Sequence, residues 1–533
     1  MDAEPAVVVT DDAQAVAAED SAAAAPIVRI SSGEIRGRRD GETLSWRSIP
    51  FAEPVSGPLR FRSPRPRTPW DGVRDCTEFG PIAPQGVDNT VPIDAGLVPG
   101  EDCLWLNIWT PATDSDPRPV MVWIHGGAYC LGSSAQKLYN GRQLAELGNT
   151  VIVTVNYRLG ALGFLDLSSF STPEATFESN LGLRDQIAAL EWVRENIAVF
   201  GGDPTNVTLF GESSGAGSIT TLMTSPRAEG LFHRAIVQSP PATSVYGPER
   251  AARVAARFLE ILELPAERAH ELYDLPIEEI IVASDVLVDE IPAKVPGTLA
   301  TAPVVDGDLV PRYPVAAFQK GLSHRIPLII GTNRDEAALF RLIRSALMPV
   351  TPDAVNEMLR VIAADHPTLS HERLAEIIAF YPDAGKSKGA QAISSDAGFR
   401  MPSIWVAEAH SRHSPTWFYR FDQATPMLKA ARVGATHATD LPYVFGSFGT
   451  MNIDPTFWLG GRKTAMEVSG RIQRRWLAFA AHDVPAAIDG SKHWPRYDED
   501  TRATLIIDST DVVEADPDKE LRETWGDQVL GFS

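Results

Sequence analysis

Gly211-Glu212-Ser213-Ser214-Gly215 lies between two segments of different character. Before it, Asn206-Val-Thr-Leu-Phe210 is a short apolar run that predicts a buried strand. After it, Ala216-Gly-Ser-Ile-Thr-Thr-Leu-Met223 begins with the small residues of a closely packed helix. A serine between two glycines at a strand-to-helix turn has the form of a nucleophile elbow. The turn is too tight for side chains at its flanks, and it lifts the serine oxygen out of the backbone above the positive end of the following helix.

Upstream, Pro119-Val-Met-Val-Trp-Ile124 is a second apolar run, and it leads into His125-Gly126-Gly127-Ala128-Tyr129. Attack on a carbonyl carbon leaves a negative oxygen, and backbone N–H groups in a glycine-rich turn can hold it without reorganising. Gly127 and Ala128 are the expected donors, with the N–H of Ser214 as the third.

With these motifs in place, the chain resembles the type-B carboxylesterases, the group of α/β hydrolases that includes bacterial para-nitrobenzyl esterases and the cholinesterases. The resemblance runs through Glu101-Asp102-Cys103-Leu104, the His125–Ala128 turn, Asn156-Tyr157-Arg158-Leu159-Gly160 and the block from Asn180 to Ser218. It continues in Gly331-Thr-Asn-Arg-Asp-Glu336, in His437 to Gly446, and in Trp494-Pro-Arg-Tyr497. It implies an α/β-hydrolase fold: a large, mostly parallel, twisted sheet with helices on both faces and helical insertions over the active site. It also implies a serine esterase that needs no cofactor and no metal.

A serine nucleophile needs a base, and the base needs a third group to fix its tautomer. In α/β hydrolases the chain order is serine, then acid, then histidine. Of the eleven histidines, the resemblance selects His437; His410 and His413 read as solvated residues at a helix end. Ile326-Pro-Leu-Ile-Ile-Gly331 predicts a buried strand, and catalytic groups in open α/β sheets gather at the C-terminal ends of strands. Local chemistry accepts either Asp335 or Glu336 there. The resemblance chooses Glu336, with Asp440 as a weaker alternative. Ala337 and Ala438 stand where the family usually has glycine.

The expected reaction is attack by Ser213 with His437 as base and Glu336 orienting the imidazole, through an acyl-enzyme that water then releases. Glu212 is expected to tune charge and water beside the histidine. The resemblance also pairs Glu101 with Arg158 as a buried ion pair, and makes Trp494, Tyr497 and Thr504–Ile507 parts of the closing strand and its packing. Where the family's partner for Cys103 should stand, the chain has Ala83, and Cys76 lies upstream of it. Three cysteines, one necessarily odd, suit a reducing compartment.

The pattern alternates strand and helix, with further strands at Val151–Val155, Arg234–Gln238 and Thr416–Phe421 and an amphipathic helix from Leu181 to Val199. Residues 248–300 and 341–415 read as helical insertions within one domain spanning 26–533. Residues 1–25, rich in Ala and Asp, read as a disordered tail with no secretory signal. No apolar run is long enough to span a bilayer, so the cytoplasm is the expected location.

A net charge of −21 argues against nucleic acid and anionic membranes as partners. A small-molecule ester is the expected partner, and the chain is expected to be a monomer or small homo-oligomer. Gln85 to Glu101 contains no aromatic residue, whereas cholinesterases place a tryptophan there to bind quaternary ammonium. Short- to medium-chain acyl or aryl esters are therefore expected. Carbamate or amide hydrolysis is the alternative, and a non-catalytic adhesion relative the remote one.

Overall fold

The computed structural model describes residues 25–86, 93–343, 345–366, 368–449, 454–487 and 493–532. The tail expected over residues 1–25 lies, but for its last residue, outside them. In chain order the strands are β1 Ile27–Ile30, β2 Gly33–Arg36, β3 Arg38–Asp40, β4 Thr43–Pro50, β5 Val73–Asp75, β6 Trp105–Thr110 and β7 Arg118–Ile124. There follow β8 Val151–Val155, β9 Gly202–Glu212, β10 Arg234–Gln238, β11 Leu328–Asn333, β12 Thr416–Phe421, β13 Ala503–Ile507 and β14 Val512–Ala515.

β1, β2 and β5 form a small sheet, and the others form a large one in the order β14-β13-β12-β11-β10-β9-β7-β8-β6-β4-β3. The pairs from β8 through β7, β9, β10, β11 and β12 to β13 are parallel. The two flanks are antiparallel. This is a large mixed sheet with a parallel centre, the arrangement of an α/β-hydrolase.

The central strands are buried on both faces, which is why they are near-continuous apolar runs. Alternation along β7 divides the core. Val120, Val122 and Ile124 join Val153, Leu209, Val237 and Ile330 on one face, packed with Leu183 and Leu190 of the helix Leu181–Asn196. Met121 and Trp123 join Ile152, Phe210, Ile236 and Ile329 on the other, packed with Ile472 and Trp476 of the helix Arg462–His482. A third apolar cluster, including Phe61, Phe177, Phe258 and Leu287, lies beneath the helices Pro248–Ile261 and Ile277–Lys294. Among the described residues no helix is long and apolar enough to cross a membrane.

Some boundaries differ from the sequence reading. The α-helix from Leu181 ends at Asn196, and a 3-10 turn carries the chain to Phe200, where Gly201 takes φ +78°. The strand expected from Ile326 starts at Leu328, since Pro327 has no N–H to join a ladder, and it extends through Asn333 against Phe421.

Three side-chain expectations are corrected. Arg158 does not pair with Glu101. It forms a buried two-pronged pair with Asp185 at 2.7 and 2.8 Å and also donates to the carbonyls of Arg60 and Arg62. Glu101 is held by Arg60 at 2.7 and 3.0 Å. His410 is not solvated, because its helix, Met401–Ser411, is buried almost all round. The ring lies between the Ser323 hydroxyl and the Ile326 carbonyl, at 3.0 and 2.8 Å, and burial lowers its pKa to about 4. Asp440 is not bonded to His437; it accepts from Gln238 and Asn333 at 2.6 and 3.2 Å.

Arg158 and Asp185 are 1% and 0% exposed, so removing one charge strands the other. Asp185→Asn is expected to lower the unfolding free energy by about 3–5 kcal/mol in urea denaturation. Glu101→Gln should cost less, since Arg60 keeps its bonds to the carbonyls of Leu272 and Leu275.

Candidate active site

The parallel strands β7, β9, β10 and β11 end on one edge of the sheet, so the segments that follow them meet there. Ser213 follows β9 with φ +55° and ψ −128° and caps the helix Ser214–Leu222. A Cβ on Gly211 or Gly215 would lie 2.7 or 2.1 Å from the Ile124 carbonyl oxygen. The elbow is thus pressed against the end of β7, and only glycine fits on either side of the serine.

The same end of β7 leads into the glycine turn. Gly127 has φ +115°, and a Cβ there would lie 2.1 Å from the carbonyl oxygen of Leu131. Ala128 and Tyr129 also have positive φ, a costly conformation for non-glycine residues that surrounding contacts must hold. Tyr157 donates its hydroxyl to the His125 carbonyl at 2.6 Å, and its ring stacks on the imidazole at 4.4 Å. Burial lowers the His125 pKa to about 4, so the ring is neutral and its Nδ1–H donates to the Gly126 carbonyl at 2.8 Å. Gln85 bonds both the N–H and the carbonyl of Gly132 at 2.8 Å, fastening the far side of the turn.

His437 Nε2 lies 2.8 Å from Ser213 Oγ, and its Nδ1 lies 2.7 Å from Glu336 Oε2. The other oxygen of Glu336 accepts from the Asn333 N–H at 2.7 Å and the Ser239 hydroxyl at 2.6 Å. Asp335 faces elsewhere. It accepts from Arg334 at 2.9 Å and from the Ala435 N–H at 3.1 Å, joining the acid loop to the histidine loop. The imidazole is enclosed by rings, with Phe399 at 4.5 Å and Phe340 at 5.4 Å between centroids.

Glu212 Oε1 lies 3.2 Å from His437 Nε2, on the nitrogen that also meets the serine. Burial raises the pKa of Glu212, and the like charges of Asp440 and Glu336 add to this against the opposing pull of His437. Burial alone would lower the pKa of His437, but Glu212, then Glu336 and Asp440, outweigh it and raise it above the ordinary imidazole value. The two groups thus compete for one proton.

Gly126, Gly127, Ala128, Glu212, Ser213, Ser214 and His437 all line one cavity of about 580 Å³. Its walls are mainly apolar, with Leu138, Leu299, Leu339, Met348 and Leu441 among them, and Asp94, Lys137 and Asp454 supply charge. A mainly apolar chamber with a few polar groups is the usual form of a small-molecule site.

Sequence reasoning missed Ser239, which could have been found as the hydroxyl residue directly after a buried strand on the catalytic edge. It also missed Phe399, for which no local signal exists.

The carboxylesterase family model matches residues 24–525. The chain is 38% identical over 506 residues to the para-nitrobenzyl esterase of Bacillus subtilis, covering 93% of this chain and 98% of that one. It is 32% identical to the phenmedipham hydrolase of Pseudarthrobacter oxydans, covering 90% and 95%. A solved PNB esterase superposes with a TM-score of 0.83 at 37% identity, covering 94% and 99%. A carboxylesterase of Geobacillus stearothermophilus does so with 0.81 at 33%, covering 94% and 100%. The chain belongs to the carboxylesterase family. It has the α/β-hydrolase fold and is a serine carboxylic ester hydrolase.

Glu212→Gln removes the largest charge that favours the imidazolium of His437. The pKa of His437 is expected to fall by about one unit, followed by NMR titration of the labelled imidazole. A titration unchanged from wild type would mean that Glu212 carries no charge beside it.

Proposed function

We propose that the protein hydrolyses short- to medium-chain acyl or aryl esters through an acyl-enzyme on Ser213. His437 takes the serine proton during attack, Glu336 holds the imidazole in the reactive tautomer, and the same histidine protonates the leaving alcohol and later activates water. Gly127, Ala128 and Ser214 donate their N–H groups to the oxyanion. Glu212 adjusts the protonation of His437 from the side. The observation that carries this reading is the unbroken bond chain from Ser213 Oγ through His437 to Glu336, at 2.8 and 2.7 Å, on the wall of a mainly apolar cavity.

The apolar walls favour ester groups without charge. The serine in a strained elbow, bonded to an imidazole, speaks against the adhesion reading, which would have no use for it. Residues 26–533 read as one α/β-hydrolase domain, because the segments that meet at the cavity come from most of its length. Cys76 and Cys103 are buried free thiols; the reading of a reducing compartment such as the cytoplasm rests on the odd count of three cysteines.

Turnover of p-nitrophenyl acetate, butyrate and octanoate tests the proposal. Ser213→Ala should lower kcat by at least about a thousandfold on each ester. The trend with chain length then sizes the acyl side of the cavity. Retained turnover in Ser213→Ala would overturn the assignment of the nucleophile.

A further inference from the structure

Between the helices Ser387–Ser395 and Met401–Ser411 the chain makes one turn of π-helix, Asp396–Arg400. Such turns are rare, occur mostly as single turns inside α-helices, and are frequent at functional sites. This one lies against the loop that carries Glu336. Ser395, just before the turn, accepts the N–H of Ala337 at 2.9 Å. Arg400, its last residue, donates to the carbonyls of Asn333 and Arg334 at 3.3 and 2.9 Å. Phe399, next to Arg400, is the ring closest to the His437 imidazole.

The geometry points to this turn as a clamp that positions the Glu336–His437 pair, with Ser395 and Arg400 as its two jaws. The inference rests on the catalytic assignment above. In an α-helix, residues five apart differ by about 140° around the axis, so Ser395 and Arg400 would face different neighbours. In a π turn the bonding runs from i to i+5, and residues five apart return to nearly the same face. Widening the helix by one residue lets both grip one loop, on either side of Glu336.

The clamp is anchored from behind. The Arg400 side chain is only 12% exposed and lies 3.8 Å from Asp396 and 3.6 Å from Asp518. Asp396 accepts the Tyr381 hydroxyl at 2.8 Å, and Tyr381 in turn accepts the Trp525 indole N–H at 2.9 Å. Asp518 also faces Arg420 at 3.7 Å. A largely enclosed guanidinium with two carboxylates behind it and two carbonyls before it has little freedom. Its planar fork is what allows one side chain to meet both sets, and a lysine ammonium lacks that shape. Glu336 receives none of these bonds directly; its loop does. Ser395 and Arg400 therefore act through the acid, which must stay within a few tenths of an ångström of the imidazole to hold its tautomer.

The test compares Ser395→Ala and Arg400→Lys with Glu101→Gln, which breaks the pair with Arg60 and touches neither jaw. Steady-state kinetics on p-nitrophenyl butyrate, melting temperature, and the downfield NMR resonance of the His437 Nδ1 proton are measured for each. Each jaw variant is expected to lose about tenfold or more in kcat with KM near wild type, and to broaden or lose the resonance. Glu101→Gln is expected to melt earlier while keeping the resonance and kcat within about twofold of wild type. Jaw variants that melt earlier but keep wild-type kcat and resonance would overturn the inference and leave the turn a purely structural feature. Ser395→Ala removes one hydroxyl, so it decides the matter should Arg400→Lys not fold. Loss of turnover in Ser213→Ala alongside unaffected jaw variants would reject the clamp alone. Retained turnover in Ser213→Ala would reject the catalytic assignment beneath it.

Discussion

The approach of the Ser213 elbow to the end of β7 is the constraint on which the rest of the site depends. The backbone around Ser213 adopts angles that a non-glycine residue leaves at the first opportunity, and it stays there because there is nowhere to relax to. The Ile124 carbonyl blocks one side, and the helix Ser214–Leu222 begins on the other. The same contact sets the glycine turn after β7 beside the serine. The proposed nucleophile and the backbone proposed to hold the oxyanion are therefore located by one packing decision between neighbouring parallel strands.

Electrostatics adds a second layer. Three buried carboxylates, Glu212, Glu336 and Asp440, crowd around one imidazole, in a region where burial already penalises charge. Such an arrangement is tolerable only when each carboxylate has assigned donors. Glu336 has Asn333, Ser239 and the imidazole, and Asp440 has Gln238 and Asn333. Glu212 has the weakest set, with the imidazole at 3.2 Å, and burial raises its pKa. Asn333 serves two of the three, so a single amide residue at the end of β11 divides the charge between the acid loop and the floor of the site.

The sheet was legible in the sequence where a strand is buried on both faces. Val151–Val155, Arg234–Gln238 and Thr416–Phe421 keep their expected limits because polar or turn residues bound each apolar run. β9 was longer than its apolar part, since Gly202 to Asn206 pairs or extends at the rim of the sheet, where hydrophobicity no longer marks a strand. Asp335 and Glu336 could not be separated from local chemistry, because adjacent side chains at a strand end point to different neighbours that only the fold supplies. The partner of Arg158 was misread for a related reason. Glu101 is a charge of the right sign, but the short helical reach to Asp185 gives a fully buried two-pronged match. The π turn was beyond reach altogether: its residues carry no periodicity that differs from the helices they interrupt.

The serine and the histidine that meet across 2.8 Å are 224 residues apart in the chain, and the histidine and its carboxylate 101. A chain leaving the ribosome exposes the elbow long before its imidazole has been made, and β13, Ala503–Ile507, enters the sheet later still. Parallel pairings of this span close large loops before any contact rewards them. No fragment that stops short of the histidine loop can assemble the site, and a half-folded chain holds its serine without a base. Ester turnover therefore reports the completed fold more stringently than helix or strand content does, and premature hydrolysis during synthesis is ruled out by topology.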